Sequence, residues 1–149
     1  MKTYHIGVGA LAAFAALGAA ALAQPASPNP PSPGPMAEVS LVRQDQSDCT
    51  NGNVSDSDPS RIGGTAWVSR DPNGTTTVKV AITGTPNTTY HFFLKCVRLL
   101  GDIKTYDEGE GNGAFDFRTG ETGNVYAFDM YPEGAPAGNK YQSVQVVFK

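Results

Sequence analysis

Three observations predict an all-β fold, an antiparallel β-sandwich of seven to eight strands. Apolar residues alternate with period two in several segments, as in Thr76-Thr77-Val78-Lys79-Val80-Ala81-Ile82. The chain holds 17 Gly and 11 Pro in 149 residues, which favours turns and short strands over long helices. No stretch beyond residue 35 carries the apolar spacing of an amphipathic helix.

Residues 1–23 precede the domain and read as a secretory signal peptide. Lys2 is followed by an apolar run over 6–17 and by Ala21-Leu22-Ala23, so cleavage is expected before Gln24. Residues 24–35 contain six prolines in twelve positions. Proline fixes φ and lacks an N–H donor, so this stretch is expected to run extended as a tether. Residues 36–149 form the predicted domain, with no transmembrane segment in the mature chain.

Its elements follow in order. A strand is expected over 38–43, and another over 65–70 carries Trp67, the sole tryptophan. Asp71-Pro72-Asn73-Gly74 then supplies Pro where a turn wants φ near −65° and Asn-Gly where it wants positive φ, which makes a hairpin with 76–82. In the next strand Tyr90, Phe92, Leu94 and Cys96 share the inner face, and His91, Phe93, Lys95 and Val97 the outer one. Strands at 103–106 and 114–118 flank a long acidic loop over 107–113, with Phe115 and Phe117 facing in. Tyr126, Phe128 and Met130 alternate with Ala127 and Asp129, and a last strand over 141–148 places Val144, Val146 and Phe148 on one face.

Cys49 and Cys96 are the only cysteines. Export to an oxidising compartment favours their joining. Closing that loop stabilises the fold by roughly 4 kcal/mol in the chain-entropy description.

Gly84-Thr85-Pro86-Asn87-Thr88-Thr89-Tyr90 resembles the tyrosine corner of fibronectin type III and related immunoglobulin-like sandwiches. The resemblance implies that the Tyr90 hydroxyl bonds back to the backbone a few residues upstream. It speaks to fold and leaves function to the site.

The charge of −3, from 11 basic and 14 acidic residues, excludes nucleic acid as a partner, because phosphate binding needs clustered Lys and Arg. The mature chain, without Lys2 and His5, has one histidine, His91, and no G-x-S-x-G elbow, Walker A motif or Rossmann fingerprint. A small hydrolase pairing His91 with a neighbouring acid is one alternative. Asp107, Glu108, Glu110 and Asn112 offer oxygen ligands that suit calcium, although their spacing differs from that of an EF-hand; no other cofactor is implied. Phe93, Tyr106, Tyr131 and Tyr141 are, by parity, the rings available to stack on sugar faces. Asn53, Asn73 and Asn87 each begin an N-x-[ST] sequon. The expectation is a secreted or periplasmic, non-catalytic binding or structural module at the cell surface, its partner another protein or a surface polysaccharide.

Overall fold

The computed structural model describes residues 34–135 and 138–149. The predicted signal peptide and all of the proline-rich tether except Gly34 and Pro35 lie outside these residues. The described residues form ten strands: β1 (Met36–Arg43), β2 (Ile62–Arg70), β3 (Thr75–Thr83), β4 (Thr89–Leu94), β5 (Arg98–Lys104), β6 (Glu110–Arg118), β7 (Val125–Tyr126), β8 (Phe128–Pro132), β9 (Tyr141–Ser143) and β10 (Val146–Val147). The protein is all-β, as its sequence predicts. Eight strands form one antiparallel sheet in the order β5-β4-β8-β9-β1-β2-β3-β6, and β10 and β7 form a second, small one. Among the described residues no helix is long and apolar enough to cross a membrane.

The β2–β3 hairpin forms where Asp71-Pro72-Asn73-Gly74 predicts it. The Asp71 carboxylate accepts the N–H groups of Asn73 and Thr75, both at 2.9 Å, and Gly74 takes φ +84°. The turn sets the register that places Val68 opposite Val78 and Ala66 opposite Val80, all of them buried. β4 contributes Tyr90, Phe92 and Leu94 to the same core, and β1 adds Val39 and Leu41. Phe92 lies between Phe128 and Phe115, stacked at 5.1 and 5.3 Å between centroids.

The large sheet curls until its two outer strands, β5 and β6, pack against each other. Glycine makes this approach possible. A Cβ on Gly111 would stand 2.7 Å from the Lys104 carbonyl oxygen, and one on Gly101 2.5 Å from the Phe115 ring. Consequently the acidic loop expected over 107–113 is shorter than its glycines suggest. Glu110 and Asn112 belong to β6, opposite Thr83 and Ala81 of β3.

Two further departures share a cause. The strands expected near 126–130 and 141–148 are each split, β7 from β8 at Ala127 and β9 from β10 at Val144-Gln145, as the chain passes between the two sheets. Because both faces are then covered, Tyr126, Ala127, Phe128, Asp129 and Met130 are all buried.

Candidate functional site

One buried phenol joins two connections of the fold. The Tyr90 hydroxyl accepts the Thr85 N–H at 2.9 Å and donates to Asn139 Oδ1 at 2.6 Å. Tyr90 thereby ties the β3–β4 connection to the segment leading into β9.

Cys49 and Cys96 are joined, with Cα atoms 5.6 Å apart. Cys96 is nevertheless exposed, where period-two parity places it inside. β4 ends at Leu94, the Val97 N–H closes a turn on the Leu94 carbonyl, and Cys96 takes φ +61°. Beyond that reversal strand parity no longer applies, and Lys95 turns inward instead.

Around Lys95 lies a buried polar cluster that the sequence does not signal. Lys95 Nζ donates to the Gln46 carbonyl at 2.7 Å and to Asn51 Oδ1 at 2.5 Å. Asn51 is wholly buried, with φ +53°, and its Nδ2 donates to the carbonyls of Ser143 at 2.9 Å and Phe128 at 3.4 Å. Gln142 exchanges two hydrogen bonds with the Gln46 backbone. Nearby, burial lowers the affinity of the Lys95 amine for its proton and raises that of the Asp129 carboxyl, while the charge of each opposes the other's shift.

The outer face of β4, β5 and β8 holds several predicted site residues. His91 Nδ1 lies 2.6 Å from Asp102 Oδ1 across the β4–β5 pair, with both side chains partly exposed. Among the described residues Asp102 is the side chain bonded to that ring. Phe93 and Tyr131 stack face to face, 4.8 Å between centroids at 17°. Rings so arranged cover one another and do not lie side by side as a platform. Tyr106 is 69% exposed in the β5–β6 connection, apart from them. Tyr141 is the clear correction. It is 8% exposed and meets Tyr90 edge-on within the core. The split between β9 and β10 breaks the parity that places Tyr141 outside.

Asp107 and Glu108 occupy the exposed β5–β6 connection, while Glu110 and Asn112 sit on the outward face of β6. Among the described residues no three His, Cys, Asp or Glu side chains converge as a metal ion would require.

Trp67 is the functional candidate absent from the predicted ring set. Its neighbours Ala66 and Val68 are fully buried, so Trp67 faces outward from β2 and is 37% exposed. It lines a groove of about 310 Å³ with Met36 and Pro72 as apolar walls and Ser69, Thr77 and Lys79 as polar ones. An apolar ring with a few convergent polar groups is the usual make-up of a ligand site. The signal was legible, since a tryptophan out of phase with the buried positions of its own strand must face solvent.

Compared with protein-family models, with curated proteins and with solved structures, the chain matches none.

Proposed function

We propose that this chain is an exported, non-catalytic binding module of the cell surface or periplasm that takes a carbohydrate in the groove at Trp67. The observation that carries the reading is the outward Trp67 ring, bordered by the hydroxyl groups of Ser69 and Thr77 and the amine of Lys79. Sugars present apolar C–H faces ringed by hydroxyls, so one flat aromatic surface and a few polar neighbours meet both demands. The site lies on paired strands, which hold such a surface more rigidly than a loop does. Export is supported by Lys2, the apolar run over 6–17 and Ala21-Leu22-Ala23, together with a disulfide suited to an oxidising compartment.

The sole tryptophan makes the test direct. Titration with soluble β-glucan, chitin oligosaccharides and peptidoglycan fragments is expected to give a saturable change in tryptophan emission with at least one of them. Trp67→Ala should abolish retention on that polysaccharide without changing the melting temperature. Flat emission with every probe overturns the reading.

A second reading rests on the His91–Asp102 pair, in which the carboxylate orients the ring as a general base requires. Hydrolysis of an ester or glycoside probe that disappears in His91→Ala would favour this reading. An unchanged rate in that variant would remove it.

A further inference from the structure

We infer that Lys95 and Asn51 become joined by an amide bond between Lys95 Nζ and Asn51 Cγ, a covalent cross-link beside the disulfide. The geometry supplies each requirement of that reaction. Nζ stands 2.5 Å from Oδ1, and a C=O bond is about 1.23 Å long, so the carbonyl carbon Cγ lies no more than about 3.7 Å from the amine. Nζ also donates to the Gln46 carbonyl at 2.7 Å. Among the described residues no carboxylate lies within ion-pair distance of Nζ to hold a charge there. Burial also lowers the proton affinity of this amine, so its lone pair is more readily free.

The leaving group is held as well. Asn51 Nδ2 is fixed between the Ser143 and Phe128 carbonyls. Asp129, the next residue after Phe128, is a buried acid on the same segment. In the reaction the Nζ–Cγ bond forms and the Cγ–Nδ2 bond breaks. One proton passes from Nζ to Nδ2, and ammonia departs. No oxidant, reductant or second substrate is needed. With Asn51 wholly buried and Lys95 8% exposed, water competes poorly for the same carbon. The Cys49–Cys96 bridge lies two residues before Asn51 and one after Lys95, so the reacting groups are kept in register.

Peptide mapping of the exported wild-type chain tests this without any variant. After reduction, alkylation and trypsin, residues 44–61 and 80–98 are expected as one branched species, lighter by one ammonia than the two linear peptides together. Trypsin does not cut after an acylated lysine, so Lys95 should be passed over. Recovery of linear 44–61 and of 80–95 ending at Lys95 as the main products overturns the inference. Intact mass alone is insufficient, because an N-terminal Gln24 also loses ammonia when it cyclises. Lys95→Arg should release the two segments unlinked; a branched species in that variant would overturn the assignment to Lys95.

Discussion

Replacing Tyr90 with Phe removes one oxygen and leaves a buried ring in place. That oxygen accepts the Thr85 N–H at 2.9 Å and donates to Asn139 Oδ1 at 2.6 Å. A typical intramolecular hydrogen bond contributes about 1 kcal/mol net, and more where the abandoned partner stays dry. Thr85 is exposed and its N–H can return to water, whereas Asn139 is half-buried. The expected loss is therefore about 1 to 2.5 kcal/mol, since ring packing is unaltered. For a domain of this size that lowers Tm by roughly 4 to 10 °C. Urea unfolding of Tyr90→Phe beside the parent should show a lower midpoint with an unchanged slope. Tyr141→Phe serves as the comparison, because Tyr141 contributes mainly its ring against Tyr90. A Tyr90→Phe midpoint equal to that of the parent would refute the view that this hydroxyl ties the β3–β4 connection to the chain ahead of β9.

Gly109→Ala should be more damaging, by about 2 to 4 kcal/mol. Gly109 has φ +82°, and its added Cβ would collide with the Gly84 carbonyl; an unchanged thermal midpoint would contradict the close approach of those two loops. Burial raises the Tyr126 hydroxyl to about 12 from its ordinary 10, so the folded state retains a proton that the unfolded chain loses. The stability tied to this group is fully present below pH 10 and disappears as pH rises towards 12, about 2 to 3 kcal/mol in all; the fall in denaturation midpoint over that range should be shallower in Tyr126→Phe. Asp129 likewise has a raised carboxyl, so its contribution is present at low pH and lost as pH climbs through the folded value. Asp129→Asn is thus expected to stabilise the protein at pH 7 and to confer no gain below pH 3, measured by urea unfolding at each pH.

Much of the fold is written in residues whose two faces meet different surroundings. Val78, Val80 and Ile82 are buried while Lys79 and Ala81 are exposed, and that contrast makes β3 readable from the sequence. Where both faces are covered the contrast vanishes. At 126–130 five consecutive residues are buried, so nothing in the pattern marks Ala127 as the point where the chain leaves one sheet for the other. Glycines mislead for a related reason. Gly111 and Gly113 suggest a loop, yet they lie within β6 because Ile103 and Lys104 of β5 leave no room for a side chain. The cysteine pair could be read from its count alone, but not the exposure of Cys96, which depends on a left-handed residue ending β4. Of the sites, Trp67 was within reach of parity. The Lys95–Asn51 contact was not, because it joins residues 44 positions apart through a loop with no regular period.

The packing of β5 on β6 bears on how the molecule behaves at high concentration among other chains. An open strand edge offers unpaired N–H and C=O groups to any extended chain, and a long flat one is a nucleus for aggregation. Here the two strands that end the eight-stranded sheet are turned towards each other, and their glycines let the backbones close the gap. Each edge blocks the other. A larger side chain at Gly111 would not merely weaken the fold: by prising β5 from β6 it would uncover two strand edges at once, turning a self-contained domain into one that recruits copies of itself.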